Sequence, residues 1–345
     1  MTDVLIAIAL LWGFIFIYAV MATMDFGAGF WSMIYINREK TNATNIANRY
    51  LSPTWEVTNT FIVAIVVALI TFFPGATFAF GTLLLIPGSL ILVLLSIRSG
   101  LLVFSHVADD YRKPLTYISG ISGLLIPGLL LSVLPITHGG YEKVVGDHVE
   151  LDLVKLFTSP QEYAFLAFAI ASSLFLSSLL LSDFSYEAKE FEAYQIYRKD
   201  ALITGPISIV IGILIVVTMR FEARWIYDNM LENIGWLIAS FLMFLIAGAL
   251  LFLPNKENPH GRGRPRLAVI AVVGQYFLAS FAYGKSHLPY IIYPDYLLSD
   301  VFTNPTAFRA LFVSYLVGFA ILFPGFIYFW RIFTKGFKPY KTKKT

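Results

Sequence analysis

The chain has 345 residues, 57% of them hydrophobic and only 14% charged, with a mean hydropathy of +0.72, a balance that no water-soluble domain of this size shows. Its formal charge of +3, without a basic cluster interleaved with aromatics, gives no footing for nucleic acid. The absence of cysteine excludes disulfides, a thiolate metal site and c-type haem attachment.

Nine apolar runs follow one another along the chain. They lie at about Val4 to Ile36, Trp55 to Phe73, Ala79 to Phe104, Leu115 to Ile136, Glu162 to Leu181, Ala201 to Met219, Asn233 to Leu253, Leu267 to Ala282 and Ala307 to Phe333. The first has no basic n-region and outruns the roughly 7 to 15 apolar residues of a cleaved signal, so it is expected to be a mature span. All nine are continuous and longer than the roughly 9 to 11 residues of a membrane β-strand. A helix satisfies each backbone group within its own segment, so the expected fold is an all-α polytopic membrane protein with about nine transmembrane helices. Four spans, a link, four spans and a ninth suit two four-helix bundles, at 1–136 and 162–282. An extra helix at 307–333 and a basic cytoplasmic tail at 334–345 would complete the chain.

Lys and Arg set the orientation. With nine spans, 18 of the 25 fall on one side, among them Arg38, Arg112, Arg198, Arg264 and Lys338, and 6 on the other, with Arg98 inside a span. The N-terminus is therefore expected outside and the C-terminus in the cytoplasm. Between spans, Thr137 to Pro160 reads as a polar outer loop, a lid or contact surface. Ser182 to Asp200 mixes Phe184, Tyr186, Phe191, Tyr194 and Tyr197 with charges, which suits an interfacial amphipathic helix or an extension of the fifth span. Lys256 to Arg266 reads as a flexible inner loop.

Charged side chains inside a bilayer mark functional sites by default. Asp25 lies in the first span, Glu56 opens the second and Arg98 interrupts the third. Alternating direction puts all three at similar depth in the cytoplasmic half. Trp55, Thr58 and Asn59 complete a polar mouth to the stretch Leu51 to Phe73, and Gly27 and Gly29 permit close helix contact. Two readings compete for the charges: an ion pair in which Arg98 neutralises Asp25 or Glu56, and carboxylates serving as proton relays. Trp55 also fits an interfacial anchor, and Glu56 a favourable charge near a helix N-terminus opened by Pro53. A haem would need a well-placed axial His, Met or Cys. His106, His138, His148, His260 and His287 all fall in loops or at span ends, and Met21, Met24 and Met243 suit apolar packing. Any haem is thus expected in a partner chain, with no metal held here.

Asp25-x-Gly27-x-Gly29, then Ser52-Pro53-x-Trp55-Glu56, then Arg98 late in the third span, resembles subunit II of the bacterial cytochrome bd quinol oxidases over the whole chain. The resemblance implies a heterodimer in the bacterial cell membrane. Its subunit I ligates haem b and haem d and binds quinol, with room for a small accessory membrane subunit. Together the chains oxidise quinol and reduce dioxygen to water, and the carboxylate after the tryptophan, here Glu56, is associated with cytoplasmic proton supply. The sequence departs from the family where Ala22 replaces an Asp and where Val57-Thr58-Asn59 follows Glu56. The alternative from another class is a secondary transporter with Asp25, Glu56 and Arg98 as its coupling site. The crowding of charge into the first three spans counts against it.

Overall fold

A computed structural model describes residues 2–37, 42–105, 111–145, 148–255 and 263–335, and the side chains of 49–57, 102, 103, 105, 112, 144, 145, 148, 326 and 329–335 lie outside this description. Six helices come first: α1 (Thr2–Tyr35), α2 (Ala43–Phe72), α3 (Pro74–Leu83), α4 (Leu85–Ser105), α5 (Arg112–Leu131) and α6 (Val133–Thr137). A hairpin of β1 (Glu142–Val145) and β2 (His148–Leu151) follows, antiparallel, with Glu142 opposite Leu151. Next come α7 (Leu153–Thr158), α8 (Pro160–Glu187), α9 (Phe191–Glu222), α10 (Arg224–Glu232), α11 (Ile234–Phe252) and α12 (Pro265–His287). The chain closes with β3 (Tyr290–Ile292) paired to β4 (Tyr296–Leu297), then α13 (Leu298–Val301) and α14 (Pro305–Lys335).

Seven described helices are long and apolar enough to cross a membrane, and α3 with α4 makes an eighth if counted as one broken span. The run at Trp55 to Phe73 falls in α2, whose 30 residues are long enough to cross a membrane, with only Thr58–Phe72 of its apolar part among the residues whose side chains are described. The run at Ala79 to Phe104 is not one straight helix, since α3 and α4 meet at 81°. Proline explains the break: Pro87 has no N–H to offer the carbonyl of Leu83, and it is tolerated only because it falls in the first turn of α4.

The centre of the bundle is α8. Two-thirds (67%) of its most apolar window is buried, against 6% for α14, and it packs on α1, α5, α9 and α12. At the hairpin end, Ala7, Leu11, Phe72, Phe73, Leu156 and Ile292 share one core. At the far end, Trp31, Tyr35, Ala43, Leu181 and Tyr197 share another. Tyr194 and Tyr197 are buried there, so the aromatic stretch after Ser182 extends α8 and begins α9 instead of lying along an interface. The peripheral α14 is held by Arg309, which donates to Asp3 at 2.8 Å, and by Tyr315, whose hydroxyl donates to the Ala64 carbonyl at 3.0 Å.

Candidate functional site

The first site forms where α1, α2, α4 and α5 meet. Arg98, 1% exposed, sends its guanidinium from α4 toward α1. One terminal nitrogen donates to the Asp25 carbonyl at 2.8 Å and to Asp25 Oδ1 at 3.2 Å. The other donates to the Ser119 carbonyl at 2.5 Å and to Ser119 Oγ at 3.0 Å. The guanidinium also lies over Phe26, 5.2 Å from the ring centre. Asp25 is itself buried, so this is an ion pair withdrawn from water and contacted by one nitrogen, not a bidentate fork.

Glycines make the room. A Cβ on Gly29 would stand 2.9 Å from one Arg98 nitrogen and 3.0 Å from the other, and a Cβ on Gly123 would also come within 2.9 Å. Gly27 serves another contact, because its Cβ would overlap Ser177 of α8. The two glycines read together in the sequence therefore have separate tasks: Gly27 seats α1 against α8, and Gly29 seats a side chain.

Beside the pair, Tyr18, Asp25, Thr58, Asn59, Arg98 and Ser99 line a cavity of about 10 Å³, room for about one water molecule. Tyr18 precedes Asp25 by two helical turns and so shares its face. Depth matching thus brought Asp25, Thr58, Asn59 and Arg98 together. The side chains of Trp55 and Glu56 lie outside the described residues; their backbone belongs to α2, one turn before Thr58 and Asn59.

The sequence did not reveal a second polar cluster, at the hairpin end. His138, expected in an open loop, is 3% exposed. Its Nε2 is 2.6 Å from the Tyr283 hydroxyl, its Nδ1 is 2.5 Å from the Gln161 amide, and its carbonyl accepts from Trp225 at 3.1 Å. Burial first, and then the nearby His287, push the His138 imidazole well below its ordinary 6.5. His287 spends Nδ1 on the Tyr290 carbonyl at 3.0 Å, and its Nε2 is 3.2 Å from Thr137 Oγ1. Close by, Tyr141 and Ser159 meet Glu222, and burial together with Glu222 raises the Tyr141 hydroxyl to about 12 against its hydrogen bond with Ser159. The available signal was the pair Gly139–Gly140, both at positive φ, which lets the chain turn back over α6.

These residues do not fit a haem. His138 and His287 already have partners on both ring nitrogens, so neither offers an axial lone pair, and no group of three metal-ligating side chains occurs among the described residues.

Comparison with known proteins agrees along the whole chain. Residues 3–333 match the family model described as cytochrome bd terminal oxidase subunit II. A Bacillus subtilis (strain 168) protein described as a putative cytochrome bd menaquinol oxidase subunit II is 62% identical over 334 residues, covering 97% of this chain and 96% of that one. Among solved structures, a chain of the bd oxidase from Geobacillus thermodenitrificans superposes with a TM-score of 0.79 at 34% identity, covering 97% of this chain and all of that one.

Proposed function

Because this chain belongs to the family of cytochrome bd terminal oxidase subunit II, we propose that its part in the assembly is to carry protons from the cytoplasm toward the oxygen-reducing centre of its partner, past Glu56 and Asp25. The assembly is a quinol oxidase, and the chain is a multi-pass bacterial membrane subunit of it. The transporter reading has no support. The other subunit is subunit I, whose haems b and d supply the oxygen chemistry, and the electron donor is menaquinol, as the name of the Bacillus relative suggests.

One observation carries the proton reading: six polar side chains from three helices, with Phe26 and Leu95, surround a space for about one water. A water there would lie beside a carboxylate, which accepts, and beside hydroxyls and an amide, which can donate or accept. Arg98 stays charged and does not relay. Its work is to fix Asp25, through both the carboxylate and the carbonyl, so that the carboxylate faces the cavity. Glu56, one turn before Thr58 and Asn59 on α2, is the entry group. The charge count supports an outer N-terminus and a cytoplasmic tail at 334–345, which places this mouth on the cytoplasmic side.

Nine spans remain the proposed topology, with bundles at 1–136 and 162–282 and a ninth helix at 307–333. Contacts among α1, α2, α4 and α5, and between α8 and α9 and between α11 and α12, fit that division, and α8 joins the two halves by packing on α1 and α5 as well as on α12.

The test is turnover in the purified complex. Glu56→Gln and Asp25→Asn should slow oxygen consumption while the haem spectrum keeps its amplitude. Full turnover in both variants would reduce the site to a structural pair.

A further inference from the structure

We propose that Glu162 is a second proton-binding site of this chain, a carboxylic acid that keeps its proton inside the hairpin end of the bundle and exchanges it with the aqueous phase through Glu222.

Glu162 sits in the first turn of α8 and is only 4% exposed. Ser159-Pro160-Gln161-Glu162 has the spacing of a capping box, in which the Ser accepts from the backbone of the Glu and the Glu carboxylate reaches back to the N–H of the Ser. Half of that box is made, since Glu162 N–H donates to Ser159 Oγ at 3.1 Å. The returning half is not, because Ser159 N–H donates to the Leu156 carbonyl at 3.2 Å. The Glu162 carboxyl turns inward instead and meets Ser132 Oγ through Oε1, while Oε2 is buried without a partner among the described residues.

No described Lys, Arg or His forms an ion pair with Glu162. Its polar neighbours are hydroxyls: Ser132 between α5 and α6 meets its carboxyl, Ser159 accepts from its N–H, and the Tyr141 hydroxyl meets Ser159. Lys155 lies over the Tyr141 ring, 6.0 Å from its centre. An ionised carboxylate here would be a buried charge without a counter-charge, with one oxygen that accepts nothing. Protonation removes the charge and leaves Oε2 as a neutral carbonyl oxygen, whose burial costs less. The Glu162 acid proton then goes from Oε1 to Ser132 Oγ, and the Ser132 hydrogen to the Gly128 carbonyl at 3.3 Å.

The way out is also built. Ser159 Oγ donates to Glu222 Oε2, and the Tyr141 hydroxyl stands 2.8 Å from Ser159 Oγ and 3.2 Å from Glu222 Oε2. Glu222 is exposed. No hydrogen bond joins the Glu162 carboxyl itself to these groups, since its Oε1 meets Ser132 and its Oε2 is bare; the proton crosses that one gap, arrives on the Glu222 carboxylate and passes to water, reloading runs the same way backward, and nothing is oxidised or reduced. This site is remote from Asp25. Ser177, which packs on Gly27, is fifteen residues further along α8 than Glu162, or roughly 22 Å at 1.5 Å per residue.

Infrared spectroscopy of the purified complex tests the assignment at equilibrium, independently of turnover and so of the inner path proposed above. Wild type should show the carbonyl band of a protonated carboxylic acid that shifts on transfer to D2O. Glu162→Gln should lack that band, and Glu162→Asp should displace it. Glu222→Gln should keep the band but slow its shift after mixing into D2O by at least about a hundredfold, the lower range of what a positioned acid–base group contributes. A Glu162→Gln spectrum that superposes on wild type overturns the proposal, as does exchange at the wild-type rate in Glu222→Gln. If Glu162→Gln fails to assemble, Glu162→Asp decides: a displaced band supports the site and an unmoved one removes it.

Discussion

Arg98 holds Asp25 twice, at its carboxylate (3.2 Å) and at its backbone carbonyl (2.8 Å), so one side chain on α4 fixes both the charge and the local position of α1. Removing either partner leaves the other buried without its counterpart, which costs more than the pair contributes when intact. Arg98→Ala should destabilise the subunit by about 3–5 kcal/mol. The double variant Arg98→Ala with Asp25→Ala should be less damaged than the sum of the single changes. Heat inactivation of the purified complex in all four forms checks this, and strict additivity would mean that the two do not interact.

Gly27 and Gly29 should fail in different ways. Gly27→Ala drives a methyl group into Ser177 and to within 3.0 Å of the Ser173 carbonyl, forcing α1 away from α8. The expected cost is about 1–3 kcal/mol, partly recovered by Ser177→Gly. Gly29→Ala meets the Arg98 guanidinium instead, so Ser177→Gly should not recover it. Melting temperatures of the two doubles separate the cases.

His138 makes the hairpin end sensitive to acid. Its folded imidazole titrates well below 6.5, from burial and then from His287. The unfolded chain takes up this proton near 6.5 while the folded chain does not. Stability is therefore intact above that pH and declines as pH falls below it, by at most about 1.4 kcal/mol per pH unit. His138→Gln, which can still meet Tyr283, should flatten the acid limb of a melting-temperature profile. An unchanged slope would show that the imidazole is not what titrates.

Gly139 has φ of +86°, and a Cβ there would overlap the carbonyl of Tyr293, the residue whose ring stacks on Trp225 at 4.5 Å. Gly139→Ala should cost about 1–3 kcal/mol through backbone strain alone and lift the Thr137–Pro160 segment from the β3–β4 connection. Limited proteolysis should then cut within that segment faster than in wild type.

Asp25 and Arg98 could be read from the sequence because charge is rare in an apolar run and helix direction fixes depth. Glu162 and His138 could not. Both stand at the ends of apolar runs, where a polar side chain normally meets water, and only the packing of α5, α8, α10 and α12 buries them. The single-helix reading of Ala79 to Phe104 failed for a related reason: hydropathy sums over a window and does not register that Pro87 withholds one hydrogen bond.

The sequence by itself determined the class of the molecule, its family and the inner charges, because apolar length, continuous runs and a few spaced residues are local properties. The tertiary structure alone decided which partner Arg98 takes, why Gly27 and Gly29 differ, and where the Glu162 carboxyl turns. Each of these depends on which side chain arrives from another helix, and the spacing along one segment carries no record of that.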